Sequence, residues 1–262
     1  MSCTGAVTSV SDFAGAWLRT QLFEPKGHLT HHEDPSVRLV LWLQTSCGIF
    51  VDIRVDLPKV SISTSKSFAG HITYQDDLSY LTWTRVIDYR PLSPPDIGKV
   101  QFTAENVLQE DGVLEGDDFS ETWVRESAVT SCVAVELTEL GSAVSRRKGY
   151  FIIVGDWFAL SVCRHSNPPL GITEQQIADT FDTVLVPDSI LYYMLQHVTV
   201  AGKCDDNWTV VHSLDPDMVG ISLLDSLANA TLSNIFTEFK WKVIEGSVPD
   251  VVGKLISHQC QE

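Results

Sequence analysis

Residues 38–55 read RLVLWLQT, then SCG, then IFVDIRV. Two runs of strict alternation joined by a short Gly-containing turn predict an antiparallel β-hairpin. A three-residue loop places Val40 opposite Arg54, Trp42 opposite Asp52 and Gln44 opposite Phe50. Side chains then separate onto two faces, because successive residues of a strand point to opposite sides. One face carries Arg38, Val40, Trp42, Gln44, Phe50, Asp52 and Arg54; the other carries Leu39, Leu41, Leu43, Ile49, Val51, Ile53 and Val55. The second face is entirely aliphatic and must be covered, so this hairpin belongs inside a layered β structure.

The chain on either side fits that setting. Strand patterns recur at Trp17–Phe23, Phe68–Gln75, Leu78–Tyr89, Val100–Phe102, Val107–Leu114, Phe119–Arg125, Cys132–Leu137 and Tyr150–Val162. Turn residues separate them, as at Asp76-Asp77, 93–98 and 116–118. Regular spacing of this kind predicts a mainly β fold, an antiparallel barrel or sandwich, and an antiparallel barrel over 11–163 is the expectation adopted. Helix signals enter only after Pro168-Pro169. Thr173 followed by Gln176 predicts a capped short helix to about Phe181, and 221–236 can hold another. Strands are expected at Ile190–Val200, Trp208–His212 and Phe239–Ile244. Residues 164–262 thus complete the barrel or pack on it, with a few short helices; a second barrel is the alternative.

Tryptophan spacing bears on function. Trp17, Trp83 and Trp123 each precede an arginine by two residues (Arg19, Arg85 and Arg125), and Trp42 precedes Gln44 in the same way. Indole and guanidinium therefore share strand faces. Leu81, Trp83, Arg85, Ile87 and Tyr89 form one such face, and Phe119, Glu121, Trp123 and Arg125 another. These faces could lie in solvent with the rings stacked along them. Large indoles on that many polar faces favour the inward reading, in which Trp and Arg line a barrel cavity. Buried guanidinium groups need partners, and Asp52 for Arg54 and Glu121 for Arg125 are the expected ones. The ligand-binding candidates are Trp42, Gln44, Asp52, Arg54, Trp83, Arg85, Glu121, Trp123 and Arg125.

Composition narrows the classes. The 262 residues are 44% hydrophobic and carry a net charge of −16, which disfavours nucleic acid and anionic membranes. No window is apolar enough for a transmembrane helix, and the N-terminus lacks a signal-peptide pattern. A cytoplasmic or nuclear protein is expected. The cysteines Cys3, Cys47, Cys132, Cys163, Cys204 and Cys260 are scattered without a CxxC pair and read as reduced, mostly buried thiols. The sequons at Asn207 and Asn229 are then chance matches.

GDDFSETWVRES, followed by Cys132–Leu137 and by GYFIIVGDWFALSV (Gly149–Val162), resembles the fungal HRI-type proteins. The strand ending Val200-Ala-Gly-Lys203, the Trp208 strand and FKWKVIE (Phe239–Glu245) match in the same order. The resemblance lies mainly over 107–262 and more loosely on the hairpin. It implies a lipocalin-like, calycin-type barrel in the cytoplasm or nucleus, with a casein-kinase partner for the family and no catalytic residues to carry over.

Catalytic and metal motifs are weak. His28, His31, His32, Glu33 and Asp34 form the densest ligand-type cluster, yet they lack the spacing of a metal site and read as a polar loop. Cys163-Arg164-His165 is too local for a Cys/His pair, and no Gly-x-Ser-x-Gly elbow or phosphate loop occurs. No metal and no cofactor are expected. Three functions remain: binding of a small amphipathic or anionic ligand in the barrel, an enzyme using Asp52 or Glu121 in the same cavity, and a protein-interaction module without a ligand.

Overall fold

The computed structural model describes residues 9–32, 34, 37–57, 65–90, 95–114, 116, 118–126, 129, 131–141, 146–164, 171–180, 187–224, 229–250 and 252–253. Alternation between apolar and polar residues produces strands throughout its first half: β1 (Gly15–Phe23), β2 (Leu29–His32), β3 (Arg38–Gln44), β4 (Ile49–Asp56), β5 (Lys66–Gln75), β6 (Tyr80–Asp88), β7 (Asp96–Ala104), β8 (Val107–Gly112) and β9 (Ser120–Arg125). They pair antiparallel in the order β2-β1-β3-β4-β5-β6-β7-β8-β9, and β9 returns to pair with β1. Eight strands therefore close into a barrel, which removes the free edges an open sheet would leave. β2 is a short addition that meets only the far end of β1.

The hairpin has the expected register, with Val40 opposite Arg54, Trp42 opposite Asp52 and Gln44 opposite Phe50. Its mixed face points into the barrel. Trp42, Val40 and Phe50 join Phe13, Trp17, Phe68, Ile72, Leu81, Trp83, Val100, Leu108 and Trp123 in one interior cluster.

The aliphatic face points outward, onto a second sheet. That sheet contains β10 (Cys132–Glu139), β11 (Lys148–Val154), β12 (Trp157–Val162), β13 (Val198–Lys203), β14 (Val210–Ser213) and β15 (Phe239–Glu245), in the order β14-β13-β12-β11-β10-β15. Leu39, Leu41, Leu43, Ile49, Val51, Ile53 and Val55 pack there against Ala134, Tyr150, Ile152, Val154, Trp157, Ala159 and Ala201. The range 11–163 expected for the barrel thus runs past it: β10, β11 and β12 belong to the second sheet. Residues 150–162 are also two strands rather than one, reversing at Gly155, whose φ of +60° suits glycine.

Short helices cover the second sheet. α1 (Glu174–Thr180) begins with the expected reciprocal cap: Gln176 N donates to Thr173 Oγ1 and Thr173 N donates to Gln176 Oε1. Residues expected as a strand over Ile190–Val200 instead form α2 (Asp188–Leu195) before β13. Pro187 at the start, Asp188 in the first turn and buried Ile190, Tyr193 and Met194 at helical spacing explain the correction. α3 (Ala230–Glu238) is capped by Asn229, whose side chain accepts from Thr231 N and Leu232 N, and it buries Leu232, Ile235 and Phe236 on the sheet's other face.

Candidate functional site

The two ends of the barrel differ. At one end a 3-10 turn, Val10–Phe13, lies across the opening. Trp17 Nε1 donates to Phe13 O at 2.8 Å, Gln44 Nε2 donates to Val10 O at 2.9 Å, and Phe13 stacks on Phe102. Backbone carbonyls of the turn thus satisfy these two buried donors, while Gln44 Oε1 has no hydrogen-bond partner among the described residues. Gln44, expected at a ligand site, lies at this closed end.

Halfway along the barrel the indoles meet. Trp42 stacks on Trp17 with ring centres 5.8 Å apart and takes edge contacts from Trp83 at 5.7 Å and Trp123 at 5.6 Å. Such offset and edge-to-face arrangements match the ring quadrupoles and add about 0.5–1.5 kcal/mol per pair beyond burial.

Charge occupies the other end. Asp52 receives Arg54 Nε at 2.8 Å and Arg54 Nη2 at 3.1 Å, the pair expected from their shared face. Burial pushes the Asp52 carboxyl up while the Arg54 guanidinium pulls it back, and Asp52 and its acidic neighbours raise Arg54 so that it stays cationic. Arg85 bonds Asp88 and Asp96 and lies 4.1 Å over the Phe68 ring. Its position depends on a bulge: Ala69 pairs with Ile87 but Gly70 pairs with Arg85, which leaves Val86 unmatched. The alternation therefore slips, so Trp83 faces inward while Ile87 and Tyr89, read as sharing its face, turn outward to the second sheet.

Glu121 is also buried at this end, but its cation is not Arg125. Arg19 reaches it across the β1–β9 seam. Arg125 lies at the opposite end, where Nη2 donates to Asp12 O at 2.8 Å and the guanidinium covers the Trp17 ring at 4.5 Å. Four residues of strand separate Glu121 from Arg125, about 13 Å at 3.3 Å per residue. Sharing a face does not bring the two into contact.

Glu110 completes the charged layer. It stands opposite Glu121 in the β8–β9 ladder and accepts from Trp123 Nε1 at 3.0 Å. Burial, then the facing Glu121 carboxylate, holds its carboxyl well above the usual range. Room for it comes from Gly98, where a Cβ would lie 2.8 Å from the Glu110 side chain. Glu110 and Arg19 were not among the expected site residues; Leu108, Glu110 and Gly112 alternate as inward positions, and Arg19 belongs to the Trp17-x-Arg19 pair.

Among these groups lies a cavity of about 20 Å³, lined by Trp42, Asp52, Arg54, Phe68, Trp83, Asp96, Glu110 and Trp123. It admits one water-sized group. Trp42 is 1% exposed, and its Nε1 has no hydrogen-bond partner among the described residues. The structure thus brings Trp42, Asp52, Arg54, Trp83 and Trp123 to one cavity, keeps Arg85 and Glu121 in the layer around it, and places Gln44 and Arg125 at the closed end.

The other sequence candidates do not converge. His31 and His32 lie in β2, Glu33 and His165 lie outside the described residues, and no group of acidic, His or Cys side chains suited to a metal occurs among the described residues. Of the cysteines, Cys47 is exposed and Cys132, Cys163 and Cys204 are partly exposed, more open than expected, while Cys3 and Cys260 lie outside the described residues. No helix among the described residues is long and apolar enough to cross a membrane.

No protein-family model matches the chain, and no curated protein sequence matches it. Its fold is similar to the crystal structure of the uncharacterized protein YLR301w from Saccharomyces cerevisiae, with a TM-score of 0.53 and 12% identity over 89% of this chain and 99% of that one. At that identity the likeness concerns the fold alone.

Proposed function

We propose that this protein is a barrel-type binding module that receives a small amphipathic ligand at the charged end of its barrel, as a cytosolic member of the HRI-type, lipocalin-like group. The observation that carries this reading is the indole-walled cavity, where the buried Trp42 Nε1 has no hydrogen-bond partner among the described residues. A buried donor without an acceptor costs about 1–3 kcal/mol, and an accepting atom on a bound molecule removes that cost. The cavity is too small for a whole ligand, so one polar group enters between Trp42, Trp83 and Trp123 while the rest stays at the mouth beside Arg54 and Phe68. Opposite, the Val10–Phe13 turn stops passage through the barrel.

Titration of tryptophan emission against a panel of small amphiphiles tests the reading. A saturable change that Trp42→Phe diminishes is expected. Absence of any saturable change across the panel leaves the interaction-module alternative, with a kinase among its candidate partners by family resemblance.

An enzymatic reading draws on one residue. Glu110 is a buried carboxyl beside the cavity, raised well above the usual range by burial and the facing Glu121, the direction that suits a general acid. It is a better candidate than Asp52 or Glu121, which are tied to Arg54 and Arg19. Turnover of a bound compound, lost in Glu110→Gln with binding retained, would establish it.

A further inference from the structure

Trp42 and Asp52 stand directly opposite each other in the β3–β4 ladder, and both line the cavity of about 20 Å³. Opposite side chains of a ladder start from Cβ atoms about 4.5–5.5 Å apart, so an indole and a carboxyl flank the same small space. Its size, its hydrogen-bonding groups and its charge together select what can enter.

The space holds one water-sized group. A carboxylate or a phosphate, with several oxygens around a central atom, exceeds it, and so does a quaternary ammonium. Trp42 is 1% exposed, and its Nε1 has no acceptor among the described residues. Trp123 differs, because its Nε1 donates to Glu110 Oε2 at 3.0 Å. The entering atom must therefore accept from Trp42, which a primary ammonium, a donor only, cannot do. Across from Trp42, the Asp52 carboxyl accepts two bonds from Arg54 and has lone pairs for a further donor.

Charge points the same way. The lining sets the carboxyls of Asp52, Asp96 and Glu110 against the Arg54 guanidinium, which Asp52 already holds. Burial, then the facing Glu121, raises the Glu110 carboxyl, so a further anion would add to repulsion already present. A neutral group that both accepts and donates meets neither obstacle.

We infer that the cavity takes the hydroxyl of a small uncharged alcohol, its oxygen accepting from Trp42 Nε1 and its O–H donating to the Asp52 carboxyl. The inference rests on the barrel-binding reading and names the chemical class of its ligand. The carbon chain of the alcohol then extends toward the mouth beside Arg54 and Phe68.

Calorimetric titration of the unaltered full chain with 1-hexanol, hexanoate, hexylammonium and 2-hexanone tests the assignment, because the four differ only in the group presented. Saturable binding of 1-hexanol is expected, at least about tenfold tighter than any of the other three, the scale of one lost hydrogen bond or one added charge. In proton–nitrogen correlation spectra, the indole N–H resonance that Trp42→Phe removes should move on adding 1-hexanol. Equal or tighter binding of hexanoate, hexylammonium or 2-hexanone overturns the hydroxyl assignment, as does a Trp42 N–H resonance that stays in place while 1-hexanol binds. If one of those three shifts that resonance and 1-hexanol does not, the hydroxyl assignment fails while the barrel-binding reading stands. No saturable change with any of the four, nor with the wider panel of amphiphiles, overturns both.

Discussion

Arg19 and Glu121 form an ion pair inside the barrel, 4% and 5% exposed, across the seam where β9 returns to β1. The two residues are 102 positions apart in sequence, so the pair links the first strand of the barrel to the last. Removing one member leaves the other charged, buried and without its partner, which costs about 3–5 kcal/mol. Arg19→Leu should lower unfolding stability in urea by that amount, and the double substitution Arg19→Leu/Glu121→Leu should recover much of it. An Arg19→Leu loss below about 1 kcal/mol would show that the seam does not depend on the pair.

Arg125 behaves differently because its contacts are a carbonyl and a ring. Arg125→Leu forfeits the hydrogen bond to Asp12 O and the stacking on Trp17, together about 1–2 kcal/mol. Glu121 keeps Arg19, so the loss should be independent of whether Glu121 is intact. A double-mutant cycle between Arg125 and Glu121 should give coupling near zero.

Glu110 makes stability fall as pH rises above the ordinary glutamate range. Its carboxyl is raised in the fold, so the native chain retains a proton that the unfolded chain releases. That contribution is fully present below the ordinary glutamate range and is lost as pH rises through the raised folded value. Glu110→Gln removes the titration and keeps the shape. The difference in unfolding free energy between the two proteins should shift in favour of the variant as pH rises; a difference independent of pH would mean that Glu110 ionises normally.

His197 and His212 act at the acid side. Burial lowers His197 to about 3 and His212 to about 4. Nε2 of His197 meets Thr199 Oγ1 at 3.1 Å, in a hydroxyl network with Ser67 and Ser161 that joins the barrel to the second sheet. The unfolded chain protonates these rings below the ordinary value of 6.5 while the native chain resists. Stability should therefore decline as pH falls from that value toward the folded values, by on the order of a few kcal/mol in all. His197→Asn should flatten this slope in acid unfolding curves.

Gly70 fixes the bulge that aims Arg85. A Cβ there would lie 2.0 Å from Thr84 O, a distance backbone atoms cannot accept. Gly70→Ala should destabilise the chain by roughly 1–3 kcal/mol and loosen the Arg85 contacts with Asp88 and Asp96. Unaltered stability in thermal unfolding would count against the tight approach of β5 and β6.

Much of the barrel was legible in the alternation itself. RLVLWLQT and IFVDIRV divided their residues between an aliphatic and a mixed face. The short turn fixed the Trp42–Asp52 register, and neighbouring positions on one face gave the Arg54–Asp52 pair. These are short-range consequences of a period of two, carried by residues within a few positions of each other. The helix of 188–195 was missed because an apolar run of that length suits either element until a partner selects the period.

Tertiary structure decided what alternation cannot encode. Closure of β9 onto β1 gave Glu121 to Arg19 rather than to Arg125, because position along the barrel axis matters as much as the face. An unmatched Val86 turned Ile87 and Tyr89 outward, since one inserted residue reverses every side chain beyond it. Packing against the second sheet determined that the aliphatic face is the outside of the barrel, leaving the mixed face to fill its interior. The sequence by itself determined which side chains travel together on a strand; the closed barrel determined which of them meet, because partners a hundred residues apart are brought together only by the ring of hydrogen bonds between strands.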